Sequence, residues 1–167
     1  MIEAVTSKVV GGIAVLALLG SVLGFFAVQN GALEEARFRE MCDSLARAID
    51  SSSSVNARFL LNFTFNDSCP GKRLEPLFRG RAYDIEIYTG AVFMRQEGLV
   101  ASSSLITSVH PWDPALLGAT SLVSGNSLSL LDAQNPCLKT QSGRGFVLER
   151  VPIGVGGECS YMTFLHT

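Results

Sequence analysis

The sequence predicts an α+β protein in which a long N-terminal helix, hydrophobic then amphipathic, packs on a single antiparallel β-rich head in a lollipop or ladle outline. Three observations carry that prediction. Residues 9–28 (VVGGIAVLALLGSVLGFFAV) are almost wholly apolar, and no charge falls between Lys8 and Glu34. Residues 32–50 (ALEEARFREMCDSLARAID) continue with apolar side chains at helical spacing. From Ser51 onward the chain turns to short runs of strand formers separated by Gly, Pro, Asn and Ser. Residues 1–50 are therefore assigned to the helix and 51–167 to one head domain, long enough for a modest core and too short for a second domain.

Twenty residues at the α-helical rise span about 30 Å, the thickness of a bilayer's hydrocarbon core. The run exceeds the hydrophobic region of a secretory signal and ends in no small-x-small cleavage site, so it is expected to be retained as a membrane-spanning helix. Its small residues are ordered: Ala14, Ala17, Gly20, Gly24, Ala27 and Gly31 recur at spacings of three or four, with Gly20 and Gly24 forming a GxxxG. Such a stripe lets helix backbones approach closely where lipid supplies no hydrophobic drive. Glycine is common in any membrane helix, but a lone anchor has no need of a continuous stripe. Asn30-Gly31 tolerates the left-handed conformation that ends helices and predicts a bend or break there.

Beyond it, Phe38, Met41, Cys42, Leu45, Ala48 and Ile49 define one apolar face, expected to dock on the head. Glu34, Glu35, Arg37, Arg39, Glu40, Asp43 and Arg47 take the other faces and read as solvated. Glu35 and Arg39, four apart in the favourable order, add roughly 0.2–0.5 kcal/mol to such a helix. In the head, Ala57 to Phe65 reads as a first strand, and Ala82 to Tyr88, Ala91 to Arg95 and Leu99 to Ser103 as a meander turned at Thr89-Gly90 and Glu97-Gly98. Residues 104–143 read mostly as loop with a helical turn around Leu128 to Gln134. Gly145 to Pro152 and Glu158 to Leu165 form a final hairpin, for about six strands in all.

The net charge of −2 and the lack of any Lys/Arg cluster argue against a nucleic-acid surface. Four cysteines without C-x-x-C spacing, Cys42, Cys69, Cys137 and Cys159, favour two disulfides over zinc, and His110 and His166 add no ligand-like spacing, so neither metal nor cofactor is expected. Three pairings are open. The favoured one joins Cys42 to Cys69, worth roughly 3–4 kcal/mol if the first strand runs back along the helix, and Cys137 to Cys159. Two sequons, at Asn62 and Asn66, point outside the cytoplasm and mark candidate glycosylation sites, giving an N-inside orientation.

No nucleophile elbow, phosphate loop or HExxH motif is present, and no catalytic residue is assigned. Asp84 and Glu86 share one side of a strand, where solvated positions explain them. His110-Pro111-Trp112-Asp113-Pro114 reads as a rigid loop whose Trp packs over the sheet edge, the alternative being an exposed contact for a subunit, a glycan or a surface.

A short N-terminus, an uninterrupted apolar helix, its amphipathic continuation and a β-rich head with cysteines together resemble type IV pilin-like proteins, especially archaeal ones, chiefly over residues 1–50. The resemblance implies a non-enzymatic subunit whose helix leaves the membrane and bundles with copies of itself in an extracellular filament for adhesion or motility, with the assembly machinery as partner. It makes the Ala14 to Gly31 stripe a subunit-packing surface. Bacterial members carry a glutamate at the fifth mature position that pairs with a neighbour's terminal amine; Glu3 is its counterpart here, at a different register. The alternative reading is a single-pass membrane-anchored protein whose β head binds an envelope or motor partner, with an anchored exoenzyme ranked last.

Overall fold

A computed structural model describes the backbone of residues 2–64, 75–117, 125–155 and 158–167, and the side chains of 12–64, 75–117, 127–154 and 159–167. In chain order the elements are helix α1 (Ile2–Ser53), strands β1 (Phe59–Phe63), β2 (Asp84–Tyr88), β3 (Ala91–Gln96), β4 (Leu99–Ser104) and β5 (Val109–His110), a 3₁₀ turn (Pro114–Leu117), helix α2 (Gly125–Gln134), and strands β6 (Cys137–Gln141), β7 (Phe146–Val155) and β8 (Glu158–His166). The chain divides into two compact units, Met1–Arg37 and Phe38–Thr167. A long apolar N-terminal helix and a mixed α+β sheet domain are thus both present.

The 52 residues of α1 run without interruption, so the break expected at Asn30-Gly31 does not occur. Neither residue has a positive φ. Asn and Gly permit the left-handed conformation without requiring it, and the helix formers Ala32 to Glu35 carry the helix on. The helix also passes the expected limit at Asp50 and absorbs most of the serine run. Ser51 Oγ and Ser52 Oγ donate to the Ala48 carbonyl at 3.0 and 2.9 Å, which satisfies those hydroxyls within the last turns.

The head is not one sheet. It holds two four-stranded sheets, ordered β1-β7-β8-β5 and β4-β3-β2-β6. The second contains the predicted meander with its turns at Thr89-Gly90 and Glu97-Gly98. To it is added β6, which pairs along the other side of β2 from Asp84↔Gln141 to Tyr88↔Cys137. The first is built on the predicted terminal hairpin, β7 with β8, flanked by β1 and β5. The short β5 runs parallel to β8, so the head is not purely antiparallel. Both β5 and β6 fall in the stretch expected to be mostly loop, whereas α2 covers the helical turn expected around Leu128 to Gln134.

Alternation along the strands builds the core. Ile85 and Ile87 of β2 are wholly buried while Asp84 is exposed. They join Phe38, Cys42, Leu45 and Ile49 of α1, Val92 and Met94 of β3, and Phe146, Leu148 and Leu165 of the other sheet in one cluster. Phe38 also stacks against Phe78 and Tyr83, at 5.0 and 5.9 Å between ring centroids. The predicted docking face of α1 is therefore the buried one, with Ala46 added and Met41 only partly covered. A second cluster lies on the opposite face of the β7–β8 sheet, where Trp112, Leu128, Ile153 and Phe164 meet.

Two local devices hold these layers. The Asp50 carboxylate accepts from the backbone N–H groups of Ile106 and Thr107 at 2.9 to 3.1 Å and so ties the loop after β4 to the last turns of α1. Gly145 lets β1 and β7 close up: a Cβ there would sit 2.7 Å from the Phe63 carbonyl oxygen. Just beyond, the Phe63 and Phe146 rings stack 4.9 Å apart.

The expected disulfides are not formed among the described residues. Cys42, Cys137 and Cys159 are free thiols, and Cys69 lies outside the described residues. Cys42 is turned into the core, its Sγ 3.6 Å from the Val92 carbonyl. Cys137 and Cys159, favoured as a pair from the sequence, stand on strands of different sheets, β6 and β8.

Candidate assembly surface

Two helical faces emerge from Gly12 to Leu33. On ideal helix geometry Ala14, Ala17, Gly20, Gly24, Ala27 and Gly31 fall within an arc of roughly 140° that also holds Ile13 and Val28, while Leu16, Leu19, Val22, Leu23, Phe26 and Leu33 lie on the opposite side together with Gly12. Both faces are exposed: Leu16 is 70% accessible, Leu23 68% and Phe26 56%. The segment is long and apolar enough to cross a membrane. Its one hydroxyl, Ser21 Oγ, donates to the Leu18 carbonyl at 2.8 Å and so presents no unsatisfied donor.

The glycines are the informative residues. A Cβ placed on Gly12, Gly20, Gly24 or Gly31 would meet nothing within 4 Å. Among the described residues no packing contact accounts for these four glycines, each of which costs a helix roughly 1 kcal/mol relative to alanine.

The other sequence-derived candidates are dispersed. Glu3 lies within α1, and its side chain is outside the described set. Asn62 is exposed on β1, at the edge of its sheet, with Thr64 also exposed, whereas Asn66 lies outside the described residues. Asp84 and Glu86 do not act as a pair: Glu86 is held by Arg95 at 3.5 Å and Lys139 at 3.4 Å, and this contact raises the Lys139 pKa. Among the described residues no three His, Cys, Asp or Glu side chains gather as a metal site.

Of the His110 to Pro114 segment, His110 ends β5 and Pro114 begins the 3₁₀ turn, so only Pro111 to Asp113 is loop; its Trp112 is buried, 3% exposed, and offers no surface contact. Its indole packs edge-on to Phe164 of β8 at 4.8 Å. Asp132 of α2 accepts from Trp112 Nε1 at 2.8 Å and lies 2.8 Å from His110 Nδ1. Sequence reasoning missed Asp132 because a separation of about twenty residues across a loop leaves no periodic signal. This cluster closes the outer core.

Comparison with protein-family models, with curated proteins and with solved structures finds no match to this chain.

Proposed function

We propose that the chain is a structural subunit of an extracellular type IV pilus-like filament, held in the membrane by the apolar half of α1 and then assembled by bundling of these helices. The observation that supports this most directly is that Gly20, Gly24 and Gly31 share one side of the helix, where an added Cβ would meet nothing within 4 Å. In a bundle their cost to helix stability is offset by close backbone approach and the dispersion contacts it brings. In this reading the heads lie outside the cytoplasm and serve adhesion or motility, and Asn62, exposed on β1, is accessible for sugar attachment. The partners are further copies of the chain and an assembly apparatus in the membrane.

The test is Gly20→Leu and Gly24→Leu, read by negative-stain microscopy of the surface fraction, with N-terminal sequencing of the protein found there and thermal unfolding of the head as a control. Loss of filaments with an unchanged head transition is expected; normal filaments from both variants refute the packing. The second reading, a single-pass anchor whose head binds an envelope or motor partner, draws support from the exposure of Leu16, Leu23 and Phe26, a surface that also suits lipid. It predicts a monomer in detergent and full function after replacement of the apolar stretch by poly-leucine.

A further inference from the structure

Among the described strands, β1 is the least guarded sheet edge. Its one strand partner is β7, and among the described residues no strand lies beyond it. An open edge presents unpaired N–H and C=O groups, and proteins protect such edges by shortness, lysine, proline or a bulge. Of the other edges, β5 has only two residues and β6 carries Lys139 at its centre. β4 exposes Val100 among serines. By contrast β1 reads Phe-Leu-Leu-Asn-Phe, with neither charge nor proline from Phe59 to Asn66. Leu60 and Leu61 within it are 60% and 40% exposed.

The order of residues in β1 fits a second copy of itself. Turned end over end about Leu61, an antiparallel copy sets Phe59 opposite Phe63, Leu60 opposite Asn62 and Leu61 opposite Leu61. Aromatic and aliphatic pairs across strands stabilise, whereas like charges directly opposite destabilise. The same operation on β6 would set Lys139 against Lys139, and on β4 it would set Leu99, Val100 and Ala101 against serines. Period-two alternation puts Phe59, Leu61 and Phe63 on one face of β1, and Phe59 and Phe63 already pack against the main core cluster. A junction at this edge therefore continues that core from one head into the next.

We propose that β1 is a contact between two copies of the chain, joined as antiparallel strands about a two-fold axis at Leu61, so that their β1-β7-β8-β5 sheets become one continuous sheet. The contact lies in the head and stands whether or not the apolar helices bundle. Five residues a side bury well under the roughly 1,000 Å² of a stable interface, so two free chains associate weakly. A sugar on Asn62 would stand against Leu60 of the other copy, which confines the pairing to chains without it.

Disulfide trapping reads this register directly. The full-length chain in detergent carries Leu61→Cys or Leu60→Cys, with Cys69→Ser, Cys137→Ser and Cys159→Ser leaving buried Cys42 as the one native thiol. Diamide is the oxidant, taking up two electrons and two protons per disulfide, and dimer is measured on a non-reducing gel. Across the two-fold the Cα atoms at position 61 are about 5 Å apart, within disulfide reach, while those at position 60 are about 8 Å apart and beyond it. Leu61→Cys is therefore expected to give at least about tenfold more dimer than Leu60→Cys. Chance collision would favour Leu60→Cys, the more exposed site. An equimolar mixture of Leu60→Cys and Asn62→Cys is expected to give the mixed dimer, identified by its linked peptide. Dimer from Leu61→Cys no more abundant than from Leu60→Cys overturns the proposal, as does absence of the mixed dimer.

Discussion

Replacing Gly20 and Gly24 together by alanine should move two observables in opposite directions. In the isolated chain each added methyl enters open space, with no atom within 4 Å. Alanine is the better helix former by about 1 kcal/mol per site, so the unassembled helix gains about 2 kcal/mol and frays less. That gain is common to free and bundled helices and cancels in the assembly equilibrium. What remains is the cost of two methyls at the closest approach of neighbouring backbones, about 1–3 kcal/mol each by analogy with overpacked cores. Even a total of ~2 kcal/mol raises the critical concentration for assembly roughly thirtyfold. Circular dichroism of the unassembled protein reads the first effect, and sedimentation of filaments across a range of total protein reads the second. A critical concentration equal to or below that of the wild type would mean that the small stripe is not a contact surface.

Cys42 makes the head alkali-sensitive: burial, with Asp43 beside it, pushes its thiol from 9.0 up to about 11. The folded chain then holds that proton more tightly than the unfolded one, so the contribution is complete below pH 9 and is lost as pH climbs from 9 to about 11. A displacement of that size is worth roughly 2–3 kcal/mol, and urea titrations across that range should show a steeper decline in the wild type than in Cys42→Ala, in which burial still raises the Tyr83 hydroxyl. Gly145→Ala should cost about 1–3 kcal/mol, measured as a fall in the urea midpoint, because the new methyl meets the Phe63 carbonyl at 2.7 Å; an unchanged midpoint refutes the close approach of β1. Asp132→Ala orphans the Trp112 indole N–H and should lower stability by about 1–3 kcal/mol. Trp112 is the only tryptophan, so its native emission reports the change directly, with a red shift expected as α2 loosens.

Long periodic signals were legible and non-local pairings were not. The apolar run and the Phe38 to Ile49 face could be read because helical spacing repeats over many residues. Ile85 and Ile87 announced β2, and Gly154 to Gly157 marked the terminal hairpin. The strand Cys137–Gln141 carries a lysine, a threonine and a glutamine with one buried leucine, so nothing in it signals β structure until β2 lies alongside. Two-residue β5 is defined wholly by its neighbour β8. The serine run looked like a boundary because serine competes for backbone hydrogen bonds, yet its hydroxyls found partners inside the helix. Sequon patterns and even cysteine numbers are read from the chain alone. Which thiols meet depends on how sheets assemble, and the two-sheet arrangement separated Cys137 from Cys159. The turn from Phe78 to Arg81, with positive φ at Arg79 and Gly80, was invisible for a related reason, since an Arg-Gly dipeptide gives little sign of a turn that usually carries Asn-Gly.

Strand β8 sits inside its sheet between β7 and β5, and its neighbouring residues Phe164 and Leu165 enter different clusters. During synthesis the ribosome releases this strand after every other element described here, whereas α1 emerges first. Neither half of the head's interior can close until then. The amphipathic end of α1 thus waits through the synthesis of the whole head for the residues that will cover it. Trimming the chain back to Tyr161 should therefore leave a protein whose head is open to proteases on both sides of the β7 strand.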